Sequence, residues 1–265
     1  MTAHPSGRAP IIMGCDRGVR TCQRVLADAR ADNCATPRRR RVAGHAAPVA
    51  FGTEMLTANS DLQLGLDLVG VFVFALSGGL VAVRARLDLV GVVVLAWVAG
   101  LGGGMIRDVL IGDTPPVGVS DWRLMLAACV AGLITFALHP RVERIARLVR
   151  VLDAAGLAVF AVSGAMKAVL FSVAPVTAAV VGVITAVGGG LLRDVIVGQV
   201  PAVLRNELYA VPALLGSVVI VVAARLEHLT SLVVWAAVVL VFAVRMAAVV
   251  LDLNAPQPLR TGDPS

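Results

Sequence analysis

The chain of 265 residues is 58% hydrophobic and 15% charged, with a mean hydropathy of +0.88. A soluble domain carries about 25% charged and 45–50% apolar residues, so this composition excludes an ordinary water-soluble globule and points to the membrane class. The formal charge of +6 would suit a nucleic-acid partner, but most of the arginines sit in tails and between apolar runs, where they set membrane orientation instead.

Residues 1–54 differ in character from the rest of the chain. They are rich in Arg, Ala, Asp and Pro, include the run RRRR at 38–41, and lack apolar periodicity. The expectation is a disordered or mis-annotated extension, with the working start at Met55. Seven apolar runs come next, at 63–83, 87–112, 122–138, 149–170, 175–198, 208–224 and 230–251. About 20 residues cross a bilayer, so the predicted fold is all-α with seven transmembrane helices. Residues 252–265 read as a loose polar tail. One set of connections collects Arg84, Arg86, Arg141, Arg144, Arg147, Arg150 and Arg205. That side is predicted to be cytoplasmic, giving an N-out, C-in core.

The runs are duplicated. DLVGVFVFALSGGLVAV from Asp67 resembles DAAGLAVFAVSGAMKAV from Asp153, and GGGMIRDVLIGDTP from Gly102 matches GGGLLRDVIVGQVP from Gly188. The offset is the same in both (153 − 67 = 86 and 188 − 102 = 86), so the register holds without a gap. Repeat 1 covers 62–138 and repeat 2 covers 149–224; 230–251 lies outside the duplication. Three spans per repeat is an odd number, so the second copy is predicted to be inverted, a plan used by transport proteins with a pathway at the repeat interface.

The shared motif carries the candidate site. Gly costs about 1 kcal/mol against Ala inside a helix. The triplets Gly102, Gly103, Gly104 and Gly188, Gly189, Gly190 therefore suggest unwound, pore-lining turns; close helix packing is the alternative. Each triplet is followed by an Arg-Asp pair, Arg107-Asp108 and Arg193-Asp194. Adjacent helix residues do not face each other, so each Arg needs a partner elsewhere or must snorkel to the interface. Asp67 and Asp153 have the matching depths, and the expected contacts are Asp67–Arg107 and Asp153–Arg193, with Asp108 and Asp194 free to face a conduit. Ser77 and Ser163 either meet a permeating solute or pack. Lys167 stands where the first copy has Val81; it snorkels, gates the path or binds anionic lipid. Arg245 is expected to meet a carboxylate or a lipid headgroup.

Seven spans with a doubled GGGxxRDxxxGxxP resemble the bacterial branch of the trimeric intracellular cation channel family, whose sequences are also described as glycine-transporter-domain membrane proteins. The resemblance runs from about Leu62 to Leu251. It implies a homotrimer in the bacterial inner membrane, surrounded by lipids, with a pore in each protomer passing monovalent cations, chiefly potassium. It marks the two glycine triplets, Arg107, Asp108, Arg193 and Asp194 as the matching positions. A small-solute carrier, for example of glycine, is the competing reading, because both classes use inverted repeats. An intramembrane enzyme is disfavoured, since no Ser/His or HExxH arrangement is present. No cofactor or metal is expected: the four His do not cluster, and the Cys spacings are unlike metal-ligand spacings.

Overall fold

A computed structural model describes residues 53–138, 142–205 and 209–251. The expectations for 1–52 and 252–265 lie outside these residues. Among the described residues all regular structure is helical: α1 (Thr53–Arg84), α2 (Leu89–Ile111), α3 (Val117–Ser120), α4 (Trp122–Ala137), α5 (Val142–Leu170), α6 (Pro175–Ile196), α7 (Ala202–Arg205), α8 (Ala210–Arg225) and α9 (Ser231–Val250).

Local chemistry sets the helix ends. Asp88 caps α2 by accepting from the Gly91 amide at 2.8 Å. Asp121 caps α4 by accepting from Arg123 N, and Thr230 caps α9. Pro175 opens α6, where its missing N–H costs nothing. The motif glycines Gly112 and Gly198 have φ of 79° and 71°, the left-handed conformation that ends α2 and α6 at low steric cost.

Five segments are long and apolar enough to cross a bilayer: Asp61–Arg84, Leu89–Ile111, Ala146–Leu170, Pro175–Ile196 and Ser231–Val250. The other two predicted spans are shorter than expected. The helices Trp122–Ala137 and Ala210–Arg225 have 16 residues each, or about 24 Å at 1.5 Å per residue. The connections before them, outside the seven apolar runs, hold the unpredicted short helices α3 and α7. Two helices also begin upstream of their apolar runs: α1 at Thr53 and α5 at Val142.

The surface is the reverse of a soluble protein's. Val176, Leu232, Val90 and Trp122 are each more than 60% exposed, whereas Asp67, Arg107, Asp108, Asp153, Arg193 and Asp194 are buried. Apolar side chains outward and ionised groups inward suit a hydrocarbon solvent.

The centre is a reciprocal packing of α1 on α5 and α2 on α6. Phe74 and Phe160 stack with centroids 5.5 Å apart. The Phe160 ring lies against Gly70, and the Phe74 ring lies against Gly156. On α2 and α6, Gly103 abuts the Thr185 carbonyl and Gly189 abuts the Ala99 carbonyl. Position rises on one helix as it falls on the other, so both pairs are antiparallel. Each contact recurs on adding 86 to one residue and subtracting 86 from the other.

Candidate functional site

Two buried charge clusters lie on either side of the α2–α6 crossing. Arg107 and Arg193 each sit four residues past the crossing glycines, about 6 Å along antiparallel helices and therefore in opposite directions.

In the first cluster, Arg107 Nη1 and Nη2 donate to the two oxygens of Asp67 at 2.9 and 3.0 Å. This bidentate fork is the strongest geometry available to a guanidinium–carboxylate pair. Arg107 Nε donates to Asp108 Oδ1 at 2.9 Å. Ser163, from the other repeat, donates to Asp67 Oδ1 at 2.5 Å and accepts from Arg107 Nη1. Gln63 Nε2 donates to both Asp67 and Ser163. Lys167 Nζ lies 2.7 Å from Asp108 and 2.7 Å from Asp113.

The second cluster repeats this core. Arg193 Nη1 donates to Asp153 Oδ1 at 2.9 Å and to Ser77 at 2.5 Å, and its Nε donates to Asp194 at 2.8 Å. The serines are thus exchanged: each repeat contributes a hydroxyl to the other repeat's cluster. The periphery differs. The Tyr209 hydroxyl lies beside the Asp153 carboxylate near Gly190, and the Arg245 guanidinium carbon is 4.6 Å over the Tyr209 ring.

The expected Asp67–Arg107 and Asp153–Arg193 contacts are both present. Several other expectations need correction. Asp108 and Asp194 are not free. One oxygen of each accepts from the adjacent Arg, and the other accepts a backbone amide beyond the proline, Val117 N at 2.9 Å and Ala202 N at 3.0 Å. The helix geometry that forbids adjacent side chains from facing each other is overcome by the length of Arg, whose Nε turns back while its terminal nitrogens reach across. The amide used is one residue later in the first copy, because Pro116 has no N–H. The spacing RDxxxGxxP is thereby explained: the carboxylate fastens the turn that the αL glycine makes.

The glycine triplets do not unwind. Helix runs without a break through Gly102, Gly103, Gly104 and through Gly188, Gly189, Gly190. Their missing side chains admit a facing backbone, so the backbone ladder stays intact. Ser77 and Ser163 neither face a solute nor merely pack; they bond into the clusters. Lys167 does not snorkel, being buried between two aspartates. Arg245 meets an aromatic face instead of a carboxylate or headgroup.

Sequence reasoning missed Gln63, Asp113 and Tyr209. Gln63 lies one turn before Asp67, a spacing that puts both on one helix face. Asp113 was visible as a paired departure from the repeat: Lys167 replaces Val81 where Asp113 replaces Gln199. Tyr209 is the only tyrosine of the chain.

An all-helical, multi-pass membrane protein with two reciprocal charge clusters about a glycine-lined crossing is the class these features define. The glycine transporter family profile matches residues 64–140 and 150–225, and the chain belongs to that family. A membrane protein of Streptomyces coelicolor is 48% identical over 199 residues, 75% of this chain and 91% of that protein. An inner membrane protein of Escherichia coli K12 is 38% identical over 155 residues, 58% of this chain and 75% of that protein. Among solved structures, the trimeric intracellular cation channel orthologue from Rhodobacter sphaeroides superposes with a TM-score of 0.68 at 38% identity, covering 72% of this chain and 99% of that one. The resemblance read from the doubled motif therefore holds at the level of family and fold.

Proposed function

We propose that this chain is an inner-membrane channel passing monovalent cations, chiefly potassium, through a path within each protomer of a homotrimer. The observation that carries the reading is the likeness to the Rhodobacter cation channel orthologue over nearly all of that chain. In this reading, 62–138 and 149–224 are inverted membrane repeats, and 230–251 is a seventh span outside them. The two 16-residue helices complete the membrane crossing, with the N-terminal end outside and the C-terminal end cytoplasmic. Antiparallel packing of α1 on α5 and of α2 on α6 supports the inversion. The glycine triplets hold the two central helices close, and Asp67, Ser163, Arg107, Asp108 and Lys167 frame one end of the path. Asp153, Ser77, Arg193 and Asp194 frame the other. Both clusters are buried and internally bonded, and a cavity lined by Asp67, Arg107 and Asp108 adjoins the first.

The family's description favours a second reading, a carrier of glycine. Purified protein in a planar bilayer separates the two. Unitary potassium currents far above carrier turnover are expected; saturable glycine uptake into vesicles without such currents would establish the carrier.

A further inference from the structure

Each cluster buries two aspartates beside one arginine, Asp67 and Asp108 with Arg107, and Asp153 and Asp194 with Arg193. Two carboxylates against one guanidinium leave a surplus negative charge in a buried site, which is costly to hold. The first cluster offsets it from within the duplication: Lys167, from the other repeat, binds Asp108 at 2.7 Å. It also meets Asp113, whose side chain is 30% exposed and so is partly screened by water. The second cluster lacks that device, because the position equivalent to Lys167 is Val81, buried and apolar.

A cation nevertheless reaches the second cluster from outside the duplication. Arg245 projects from α9 and is 7% exposed. Its guanidinium lies over the face of Tyr209, whose hydroxyl lies beside Asp153. Among the described residues, Arg245 Nε has no hydrogen-bond partner and Arg245 forms no ion pair with a carboxylate. Tyr209 lies past Pro201, where the gapless register of the duplication ends, and is the only tyrosine of the chain. An aromatic spacer and a distant arginine thus stand at the cluster that lacks the lysine.

We infer that Arg245 is the second buried cation of the Asp153–Arg193–Asp194 cluster, supplied through Tyr209 by the helix outside the duplication. It is a positioning residue: it neutralises the acids and fixes the second end of the path. This deepens the channel reading and depends on it for the current readout, but not for the stability readout.

The repeat supplies the test. Val81→Lys places a cation where Lys167 stands in the other half. Full-length protein is purified as wild type, Arg245→Met, Arg245→Lys, Val81→Lys and the double variant Val81→Lys/Arg245→Met. Thermal midpoints and potassium currents in a planar bilayer are measured. Arg245→Met is expected to lower the midpoint by roughly 5–10 °C and to alter current rectification. Arg245→Lys should retain most of both properties. Val81→Lys should be harmful alone, through a surplus cation, and beneficial in the Arg245→Met background. That reversal of sign is the signature, because a merely structural role for Arg245 gives independent, additive effects. Additive midpoints overturn the inference. If Arg245→Met yields no folded protein, recovery in the double variant is the expected result, and failure of both overturns it. Absence of current in the wild type counts against the channel reading alone and leaves the midpoint comparison decisive.

Discussion

The middle glycine of each triplet is predicted to be irreplaceable, whereas one of its neighbours is not. A Cβ at Gly103 would lie 2.3 Å from the Thr185 carbonyl oxygen, and a Cβ at Gly189 would lie 2.2 Å from the Ala99 carbonyl oxygen. Ordinary contact begins near 3.4 Å, so α2 and α6 would have to part by about 1 Å. The obstacle is helical backbone on both sides, with no flexible side-chain end to swing away. Overpacking of this kind costs about 3 kcal/mol at the upper end of the usual range, and Ala returns about 1 kcal/mol of helix propensity. Gly103→Ala should therefore destabilise by about 2 kcal/mol, a fall of roughly 4–8 °C in thermal midpoint for a chain of this size. At Gly104 the nearest atom is Arg107 Nη2 at 3.8 Å, so Gly104→Ala meets no clash. It should gain up to about 1 kcal/mol, or roughly 2–4 °C. Purified single variants followed by tryptophan fluorescence on heating measure both. A Gly103→Ala midpoint at or above wild type, or a Gly104→Ala midpoint as low as Gly103→Ala, would refute the reasoning.

Asp67→Asn should cost about 3–5 kcal/mol by removing the bidentate partner of the Arg107 terminal nitrogens, and the exchange Asp67→Arg/Arg107→Asp should cost less than the sum of the single variants; a double-mutant cycle in chemical denaturation reads the coupling. Lys167→Met should destabilise by about 2–4 kcal/mol, and adding Asp113→Asn should recover part of that loss, because Asp113 is the carboxylate left without a cation while Asp108 keeps Arg107; equal midpoints for the single and double variants would contradict the bridge. Gly70→Ala should clash with the Phe160 ring, whose nearest carbon would be 2.6 Å from the new Cβ, and Phe160→Leu should relieve it; a midpoint comparison of the three variants checks this.

Hydropathy and repetition made the helices and the two principal ion pairs legible, for definable physical reasons. A 20-residue apolar run has few alternatives in lipid, and a charge recurring at equal depth in two copies needs an equal partner. Asp67–Arg107 and Asp153–Arg193 followed from that argument. The role of the glycines did not, because local propensity treats three glycines as a weakness in a helix. Tertiary packing reverses the sign: the Thr185 and Ala99 carbonyls occupy the space a side chain would need. Asp108 and Asp194 were misread for a related reason. Helical periodicity separates neighbouring side chains, but it does not register an arginine long enough to bind backward and forward at once, or a turn that returns an amide to the same carboxylate. Tyr209 and Arg245 meet across elements, and no spacing rule connects residues from separate helices.

The pattern of agreement between the two halves sorts the site's parts by task. The Asp–Arg–Asp core, the exchanged serine, the αL glycine and the crossing glycines obey the 86-residue offset in position and in contact. Reciprocal contacts cannot diverge one at a time: Ser163 serves the first cluster and Ser77 the second, so a change in either repeat alters the other's site. The departures are Gln63 against Val149, Asp113 against Gln199 and Lys167 against Val81, with Tyr209 beyond the gapless register. All lie at the rims of the clusters, where a side chain touches one cluster only and can change without penalty to the other. Symmetry is thus kept in the Asp–Arg–Asp cores, the exchanged serines and the crossing glycines, and relaxed at the rims, even where a rim contact such as Lys167–Asp108 crosses the repeat interface. In a path with two ends facing different compartments, the relaxed positions are those at which the ends can acquire different properties. Of these, Lys167 with Asp113 at one end and Tyr209 with Arg245 at the other are the pairs that bring charge.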